Sequence, residues 1–389
     1  MKKASCGKII IAGDFFPVDE NESFFCKGDI DTLLGDRLCQ LFFDADLSVC
    51  NLEGALSDHN ERCNKTGPVK VAPTKCVETY KNLGINCCML ANNHATDGGH
   101  QGLISTIDTL DRYGIDHIGA GKNKDSISRF IIYDVTGMKI GFYNVCETMY
   151  NKPTESQAGA WLYDEYVVCH ELEDYRKKCD YLIVIYHGGT EKFRYPSPQT
   201  KKRFHRMADS GADMILSQHT HCIGSEEHYN GAYLLYGQGN FLFNNYAPTF
   251  TGTGIVVEID IVDKEIKIIK HKVTSVGRIQ VRYSDDQDFS DFYERSSRID
   301  DDEYIYQQFQ KYCNDELHLY LKAFKSPGRI ADRILDRLPK SFKRWLFTKT
   351  HTNRDLLFSL HTLRSEQNRE IAIRGIEDLL EKKTGKRIQ

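Results

Sequence analysis

The sequence predicts an α/β fold in which mixed β-sheets pack together and are flanked by helices. Short apolar runs rich in Ile, Val and Tyr alternate with helical patterns from residue 8 to about residue 212, which is typical of parallel strands joined by crossover helices. Residues 233–273 instead contain successive strand patterns. Beyond residue 303 the patterns are helical. We therefore expect a large α/β domain followed by a helical C-terminal extension.

The alternating region supplies both kinds of element. Each predicted strand is a short apolar run, and several predicted helices are followed by a glycine, which favours a helix end. The strand patterns occupy residues 9–12, 47–50, 87–91, 182–186 and 214–216. The helical patterns occupy residues 31–43, 102–113, 164–178 and 198–210.

Two further stretches have strand patterns without helices between them. Residues 129–135 and 139–145 predict a hairpin that turns at residues 136–138. In the later stretch a tight turn joins the last two strands. The strand patterns of that later stretch occupy residues 233–236, 255–261 and 266–273.

The domain boundaries are predicted from composition. Residues 285–303 contain nine acidic residues against two arginines, which is typical of a solvated connector. We therefore predict a domain over residues 1–284, an acidic linker over residues 285–303 and a helical region over residues 304–389. The helical region is broken at Pro327 and Pro339.

Composition also excludes several classes of protein. The formal net charge of −4 with 27% charged residues is close to balance, so no nucleic-acid partner is expected. The thirteen cysteines show neither a Cys-x-x-Cys pair nor metal-finger spacing, which favours free thiols in a reducing compartment. Apolar runs are too short for a signal-peptide core or a membrane-spanning helix. These observations predict a cytoplasmic protein.

Residue types that bind metal ions follow the predicted strands. Because ligands of open α/β sheets bind at the carboxyl ends of the strands, such side chains can converge although they are distant in sequence. A single strand-end Asp or His is usually a helix cap, a turn former or a satisfied polar group, but five such positions together favour a metal site. These positions hold Asp14, Glu53, Asn93 with His94, His187, and His219 with His221.

The order of these residues resembles that of the calcineurin-like metallophosphoesterases. The flanking segments are similar to those of the CapA family of capsule and poly-γ-glutamate synthesis proteins. The similarity covers residues 8 to about 260 and implies a four-layer αββα sandwich. The similar segments are Asn51-Leu52-Glu53-Gly54, Ala91-Asn92-Asn93-His94, His187-Gly188-Gly189-Thr190-Glu191 and Leu235-Tyr236-Gly237-Gln238-Gly239-Asn240-Phe241.

The resemblance implies a site that holds two divalent metal ions. Mixed carboxylate, amide and imidazole ligands favour Mn, Fe or Zn over a metal bound by thiolates. The implied ligands are Asp14 and His221 on the first ion, Glu53 between the two ions, and Asn93 and His187 on the second, with His219 beside them.

The implied catalytic residues are Glu53 and His94. His94 matches a histidine that faces the substrate in phosphoesterases, where it can stabilise charge or protonate a leaving group. Two positions depart from the usual pattern: Phe16 replaces a histidine, and Glu53 replaces an aspartate. The Phe16 departure removes a ligand from the first ion, so that ion position is either weak or filled only with substrate.

Three residues are secondary candidates for substrate binding. Glu191 and Arg194 follow His187 closely and can orient a ligand or contact an anionic substrate, and a solvent-facing loop is an equal alternative. Asn240 lies in a Gly-Asn-Phe turn, where it either braces the site or serves only the turn.

Residues 322–354 form a basic stretch with ten Lys or Arg against Asp332 and Asp336. Trp345 and Phe347 lie among the basic residues, and this mixture suits peripheral contact with an anionic membrane or an acidic polymer. The alternative, which we favour, is a helix that packs on its own domain with its basic residues in solvent.

The resemblance implies a metal-dependent hydrolase of capsule or exopolymer biosynthesis, with poly-γ-glutamate or polysaccharide as the polymer. A non-catalytic accessory subunit of a polymer synthesis or export complex is one alternative, which Phe16 favours. A general phosphodiesterase is the other. The expected partners are an anionic polymer or phosphorylated substrate and capsule-synthesis proteins, with membrane contact through residues 322–354.

Overall fold

A computed structural model of the chain describes residues 6–63, 68–147, 153–243, 250–324, 337–364 and 376. The chain divides into two units, Met1–Ile305 and Tyr306–Gln389. The strands of the first unit are β1 (Cys6–Phe15), β2 (Leu47–Leu52), β3 (Ala55–Leu56), β4 (Val71–Ala72), β5 (Cys87–Met89), β6 (Asp116–Ile118), β7 (Ala120–Gly121), β8 (Phe130–Val135), β9 (Met138–Cys146), β10 (Gly159–Ala160), β11 (Tyr181–His187), β12 (Met214–Gln218), β13 (Glu226–Tyr229), β14 (Ala232–Leu235), β15 (Asn240–Leu242), β16 (Thr253–Val262), β17 (Glu265–Val276) and β18 (Gln280–Tyr283).

Both units contain helices. Those of the first unit are α1 (Glu22–Lys27), α2 (Ile30–Leu33), α3 (Asp36–Phe43), α4 (Val77–Asn82), α5 (Gly99–Tyr113), α6 (Glu165–Arg176), α7 (Pro198–Asp209) and α8 (Ser290–Ser296). Helix α9 (Asp302–Phe324) runs from the first unit into the second, which also contains α10 (Lys340–Thr350) and α11 (Asn353–Arg364).

The first sheet joins a parallel half to an antiparallel half. Its strand order is β18-β17-β16-β1-β2-β5-β6, and β15 pairs with β1 beside this path. Strands β1, β2, β5 and β6 are parallel to one another. The register of β1 on β2 shifts between Ile11 and Asp14, so that Asp14 lies opposite Asn51. Such an irregularity re-aims the side chains that follow it, and here it does so at the carboxyl end of β1.

The second sheet has the strand order β13-β14-β12-β11-β9-β8. Its strands β9, β11, β12 and β14 are parallel. His187 at the end of β11 lies opposite Cys146 on β9 and Gln218 on β12, so the carboxyl ends of three strands meet there. Two small pairs, β3 with β4 and β7 with β10, lie outside the two large sheets.

The two large sheets pack face to face through an apolar layer. Ile11 and Val49 of the first sheet and Ile183 and Leu216 of the second belong to one buried cluster. A second cluster joins the other face of the first sheet to α3, α4 and α5, and a third joins the other face of the second sheet to α6 and α7. The predicted α/β class, with packed mixed sheets between helices in four αββα layers, is confirmed.

Buried amides tie the two sheets together near the carboxyl ends of their strands. Gln238 Nε2 donates to the carbonyl oxygen of Ile11 at 2.7 Å. Asn144 on β9 accepts from the backbone N–H of Ala91 at 2.8 Å and donates to the carbonyl oxygen of Ile185 at 3.0 Å. The bonds from Gln238 to Ile11 and from Ala91 to Asn144 reach the first sheet, whereas the bond from Asn144 to Ile185 stays within the second sheet and fixes the orientation of the Asn144 amide.

The predicted strands, hairpin and helices are present, with one correction. Strands β8 and β9 pair as the predicted hairpin, and Asp164 and Ser197 cap the starts of α6 and α7 with their side chains. The helix predicted over residues 31–43 is instead two helices, α2 and α3. Gly35 between them has a φ of 77°, a left-handed conformation that interrupts a right-handed helix.

The acidic stretch at residues 285–303 lies within the first unit and contains helix α8. Phe292 and Arg295 of α8 are buried, and Arg295 donates to the carbonyl oxygen of Gly224 at 3.0 Å. Lys201 on α7 donates to Asp302 at 2.6 Å. The acidic residues thus include side chains that pair with basic groups of the α/β core.

The second unit is described over part of its length. Leu338, Leu346 and Leu356 are partly buried and pack against one hydrophobic cluster, while Phe342 and Trp345 of α10 are about half exposed, at 43% and 55%. Residues 325–336 of the predicted basic stretch lie outside the described residues, and membrane contact through residues 322–354 stays a prediction. Among the described residues, none of the helices combines the length and apolar content needed to cross a membrane.

Candidate metal centre

Both large sheets contribute predicted ligands at the carboxyl ends of their strands. His187 Nε2 lies 3.7 Å from Glu53 Oε1, and His221 Nδ1 lies 3.5 Å from Asp14 Oδ2, so side chains from the two sheets meet. The first sheet supplies Asp14, Glu53, Asn93 and His94, and the second sheet supplies His187, His219 and His221.

Within the described residues, two overlapping groups can each hold a metal ion. One is Asp14, Glu53 and His187, and the other is Glu53, His219 and His221. In each group the ligand atoms lie within 4.8 Å of one another. Glu53 belongs to both groups, which is the position that the resemblance implies for a bridging ligand.

The carboxylate of Glu53 most clearly marks this cluster as a candidate cation site. Its side chain is fully buried, and neither carboxylate oxygen has a hydrogen-bond partner among the described residues. Burial and the nearby charge of Asp14 raise the pKa of Glu53 well above its ordinary value. A buried, unpaired carboxylate is costly, and a bound cation offsets that cost. The surrounding carboxylate and imidazole groups suit a divalent transition metal.

Asp14 has a different environment from Glu53, although both are fully buried. Burial alone raises the pKa of Asp14, but hydrogen bonds and nearby charge from His221 and His187 lower it below its ordinary value. Asn51 adds a hydrogen bond from its amide at 2.8 Å. Asp14 is therefore ionised at neutral pH and presents a fixed negative charge to the site.

The three imidazoles differ in the charge that they carry. Burial and the neighbouring His219 lower the pKa of His187 well below its ordinary value. Burial and the neighbouring His221 lower the pKa of His219 to about 4. Burial also opposes the charged form of His221, but its contact with Asp14 raises its pKa overall. His187 and His219 are consequently neutral at pH 7, the form that binds metal.

Asn93 and His94 follow β5 and reach the same place. Asn93 Oδ1 lies 2.9 Å from His187 Nε2, and His94 Nε2 lies 3.9 Å from Glu53 Oε1. Asp97 Oδ2 lies 2.6 Å from His94 Nδ1. Because an ionised carboxylate only accepts hydrogen bonds, His94 carries a proton on Nδ1 and turns Nε2 towards Glu53.

Two buried asparagines form hydrogen bonds that position the loops with the candidate ligands. The amide of Asn51 contacts both Asp14 and His187, and Asn92 donates to Asn51 at 3.1 Å. The same Asn92 accepts from the backbone N–H of His94 at 3.0 Å. These buried amides set the positions of ligands on three different strands.

The loop after β12 has a strained backbone. His219 and His221 have φ angles of 87° and 52°, a region of backbone conformation that residues other than glycine rarely adopt. The backbone N–H of His219 donates to Asp14 at 3.3 Å, and the N–H of Lys192 donates to the carbonyl oxygen of Thr220 at 2.7 Å. Strain of this kind persists where the surroundings fix it, as at functional sites.

Phe16 is part of the core and not of the ligand set. Its side chain is 1% exposed, and its ring lies so close to Gly54 that a Cβ there would stand 2.5 Å from it. The Phe16 backbone N–H donates to the carbonyl oxygen of Leu242 at 3.0 Å. The position that a histidine would occupy is therefore used for packing against Gly54, which follows Glu53 in the chain.

The three predicted substrate-binding residues lie in different environments, and their roles stay predictions. Glu191 Oε1 lies 4.0 Å from His219 Nε2 with its side chain 52% exposed. Asn240 is buried, with its Oδ1 2.9 Å from His221 Nδ1 and its amide donating to the carbonyl oxygen of Thr251. Arg194 donates to Asp291 at 2.6 Å.

The contacts of Asn240 determine which nitrogen of His221 is available. Since its Nδ2 donates to Thr251, its Oδ1 faces His221 and accepts the proton on Nδ1. In the neutral form of His221, the Nε2 atom then keeps its lone pair. Asn240 thus orients a candidate ligand, in the way that hydrogen-bond partners commonly orient metal-binding histidines.

Sequence reasoning missed a further carboxylate beside the site. Glu147 directly follows β9, and its Oε1 lies 3.7 Å from His219 Nε2. Burial raises the pKa of Glu147, against a hydrogen bond from the backbone N–H of Gly189. Its place at the end of a parallel strand is the same signal that identified His187. Beyond that position, nothing in the neighbouring sequence separates it from other loop acids.

The fold and the site together define a class: a two-sheet α/β protein with a buried candidate metal centre at the carboxyl ends of its strands. Residues 8–245 match the family described as "Bacterial capsule synthesis protein PGA_cap". Because the match covers more than half of the 389 residues, the chain belongs to this family.

Curated relatives are similar to the chain over part of their length. The capsule biosynthesis protein CapA of Bacillus anthracis is 28% identical over 44% of each chain. The PGA biosynthesis protein CapA of Bacillus subtilis (strain 168) is 28% identical over 43% of this chain and 45% of its own. A probable polyglutamine synthesis accessory protein of Mycobacterium tuberculosis is 27% identical over 50% of this chain and 55% of its own. The chain spans about half the length of the relatives it matches.

Proposed function

We propose that the chain is a metal-dependent hydrolase of the CapA type that acts in capsule or exopolymer biosynthesis. The observation that carries the proposal is Glu53, a fully buried carboxylate whose two oxygens have no hydrogen-bond partner among the described residues. Neutral imidazoles and a second carboxylate surround it. A purely structural polar cluster satisfies its members internally, and this one leaves its central charge open.

The donor set would suit two divalent ions of Mn, Fe or Zn, and Glu53 belongs to both candidate groups. When bound, such ions supply an activated water and neutralise charge on the group that is attacked. The residues that would hold them are Asp14, Glu53, Asn93, His187, His219 and His221.

His94 is the residue that would move a proton. Its Nδ1–H is engaged by Asp97 at 2.6 Å, and its Nε2 points towards Glu53. Nε2 can therefore accept a proton or, once protonated, deliver it to a leaving group beside the attacked bond. Asp97 keeps the ring oriented and stabilises its charged form. His94 and Asp97 together form the acid of the proposed reaction.

The proposed substrate class follows from the family and the relatives. Two relatives are named for capsule and PGA biosynthesis, which supports an anionic polymer or a phosphorylated precursor as substrate. Both substrates would bring negative charge towards a site with cationic occupants. Capsule-synthesis proteins are the partners that this role would require.

A non-catalytic accessory subunit is the second candidate function. A relative is named as a synthesis accessory protein, and Phe16 occupies a packing position where phosphoesterases usually hold a ligand. This alternative would retain metal without turnover. A general phosphodiesterase is the third candidate, and it would hydrolyse phosphodiesters without preference for polymer precursors.

The test combines metal analysis with turnover. We expect the full chain, purified without chelator, to contain Mn, Fe or Zn and to hydrolyse a generic phosphodiester. Glu53→Ala and His219→Ala are expected to lose both properties. His228→Ala, at an exposed histidine of β13, is the matched control and is expected to keep both.

Each outcome of this test decides between the candidates. Metal without turnover on any phosphodiester or γ-linked glutamate oligomer supports the accessory subunit. Turnover of simple phosphodiesters alone supports the general phosphodiesterase. Absence of Mn, Fe and Zn from the purified chain contradicts both hydrolase proposals.

A further inference from the structure

A carboxylate that the proposed reaction does not use lies beside the candidate metal centre. Glu147 directly follows β9, and its Oε1 lies 3.7 Å from His219 Nε2. Glu191 Oε1 lies 4.0 Å from the same nitrogen, but the Glu191 side chain is 52% exposed, against 27% for Glu147. Because solvent screens exposed charges more strongly, Glu147 is the carboxylate with the larger influence on His219.

The turn after β11 holds the carboxylate of Glu147 in place. Its Oε2 accepts from the backbone N–H of Gly189 at 3.1 Å, and the backbone N–H of Glu147 donates to the carbonyl oxygen of His187 at 3.0 Å. Gly188 leaves room for the side chain, since a Cβ there would stand 2.9 Å from Glu147 Oε2. One carboxylate oxygen is thus fixed by the backbone, and the other, Oε1, is the one near His219.

The two ring nitrogens of His219 have different surroundings. Its Nε2 lies beside the carboxylates, whereas its Nδ1 is buried and has no hydrogen-bond partner among the described residues. The side chain also belongs to a candidate metal group with Glu53 and His221. A neutral imidazole carries its proton on one nitrogen and a lone pair on the other. The nitrogen that can bind a metal ion is therefore decided by where the proton is held.

The charges around the His219 ring favour one position for this proton. Carboxylate oxygens within 4.0 Å of Nε2 stabilise a proton on that atom. At Nδ1, the described part of the chain provides no hydrogen-bond acceptor that would hold the proton there. Nδ1 therefore keeps its lone pair and is the available ligand atom. Carboxylates commonly orient metal-binding histidines in this way, and they strengthen the histidine as a ligand.

We propose that Glu147 is a positioning residue that holds the proton of His219 on Nε2 and so presents Nδ1 to the metal ion. The proposal rests on the proposed function, because it concerns a ligand of the same centre. It extends to His219 the kind of control that Asn240 has over His221, with a carboxylate in place of an amide. Glu147 acts through His219 and is not itself a metal ligand.

Glu147→Gln separates this positioning role from a packing role. The amide has the size of the carboxylate but only one acceptor oxygen, whereas the N–H of Gly189 and the protonated Nε2 of His219 each require an acceptor. When the amide oxygen accepts from Gly189, the amide NH₂ group faces His219 Nε2 and favours a proton on Nδ1. A purely structural role for Glu147 would leave the tautomer of His219 unchanged, because the packing and the contact with Gly189 are retained.

The test measures the tautomer of His219 and the affinity for zinc, without turnover. The full chain, with isotope-labelled histidine ring nitrogens, is studied by NMR, the His219 signals are assigned through His219→Ala, and zinc is titrated by calorimetry. In wild type we expect a proton on Nε2 and zinc on Nδ1. Glu147→Gln is expected to move the proton to Nδ1 in the metal-free chain and to weaken zinc binding about tenfold to a hundredfold. Glu173→Gln, at an exposed carboxylate of α6, is the matched control and is expected to change neither.

Zinc bound through Nε2 of His219 in the wild-type chain would overturn the proposal. The same conclusion follows if Glu147→Gln keeps both the wild-type tautomer and the wild-type zinc affinity. A Glu147→Gln chain that keeps the proton on Nε2 but loses zinc also overturns it, because Glu147 would then be a metal ligand itself. Zinc affinity that falls together with the change of tautomer, in a chain without turnover, supports this inference and contradicts only the hydrolase.

Discussion

Two buried regions of the first unit differ in what satisfies their side chains, although both are closed to solvent. Ile183, in the layer between the sheets, and Glu53, at the strand ends, are each 0% exposed. Ile183 is surrounded by apolar side chains from both sheets. Glu53 is surrounded by histidines and a second carboxylate, and its oxygens lack hydrogen-bond partners in the described part of the chain.

Depth of burial therefore does not distinguish a core position from a site. Apolar contacts between the sheets stabilise the fold directly. The polar cluster instead requires desolvation of charge, which opposes folding unless a ligand offsets it. We therefore expect substitutions in the two regions to change different measured quantities: stability in the apolar layer, and metal binding with turnover at the strand ends.

The largest expected effect is on turnover, in Glu53→Gln. The amide keeps the size of the side chain but removes the charge from both candidate metal groups. We expect the rate to fall at least about a thousandfold, or about 4 kcal/mol, with loss of metal by elemental analysis. A variant that keeps its metal and its rate would show that Glu53 is needed neither for metal binding nor for turnover.

The second effect is on stability, in Ile183→Ala. Truncating a fully buried isoleucine removes apolar contact and leaves a cavity, which costs about 3 kcal/mol. The free energy of unfolding in urea measures this, and metal content is expected to stay constant. Ile132→Ala is the matched control, since Ile132 is 37% exposed, and its loss is expected to be below about 1 kcal/mol. Equal losses at the two positions would show that the inter-sheet layer is not the stabilising core.

Asn144→Ala tests the boundary between the two regions. It leaves the N–H of Ala91 and the carbonyl oxygen of Ile185 without the partner that joins the sheets. Leaving buried polar groups unpaired costs about 2 kcal/mol, again measured by urea unfolding. Asn314→Ala, at an exposed helical position, is expected to change stability by less than about 0.5 kcal/mol. An Asn144→Ala chain as stable as wild type would mean that packing alone holds the sheets together.

A smaller effect is expected from Asp97→Asn. The neutral amide supports protonated His94 less well, so turnover is expected to fall about tenfold, or about 1.4 kcal/mol, with metal content unchanged. Asp111→Asn is the control, because Asp111 contacts His117 at 3.1 Å with its own side chain 59% exposed. Unchanged turnover in Asp97→Asn would argue against His94 as the proton donor.

The smallest effect concerns the stability of the metal-free chain. The folded state holds a proton on Glu53 more tightly than the unfolded chain does, because burial and Asp14 raise its pKa. Stability from this group is therefore present below the ordinary glutamate pKa and is lost as pH rises through the higher folded value. In Glu53→Gln this loss is absent, so we expect the chelated variant to be about 1 kcal/mol more stable than chelated wild type at pH 8.

Thermal unfolding of both chains in chelator across pH checks this last prediction. The difference between the two curves isolates Glu53 from His187 and His219, whose lowered pKa values act in the opposite direction by removing stability as pH falls. A difference that does not grow with pH would contradict the assignment of a raised pKa to Glu53.

Much of this arrangement could be predicted from the sequence because strand patterns are local. The apolar runs that end near Asp14 and His187 fall on β1 and β11, and parallel strands bring their carboxyl ends to one edge. Which sheet each strand joins could not be predicted, since pairing depends on contacts between distant segments. The interruption at Gly35 was also missed, because a glycine within a helical pattern does not by itself reveal its φ angle.

Contacts that are made from loops have a different origin. Asp97 reaches the site from a loop and not from a strand end, so no periodic pattern marks its contact with His94. Arg194, whose contact with substrate stays a prediction, pairs with Asp291, which is 97 positions away. Such long-range pairing is determined by tertiary structure and leaves no signal in the neighbouring sequence.

For the proposed metal site, the division of the candidate ligands between two sheets would link metal loading to the completion of folding. Asp14 and Glu53 come from one sheet, and His187 and His219 come from the other, so neither sheet alone presents a full coordination set. A nascent or proteolysed chain with only one sheet formed would not retain the ions. Metal retention would thus distinguish fully folded chains from chains in which only one sheet has formed. In a cell, this dependence would delay activity until both sheets have packed together.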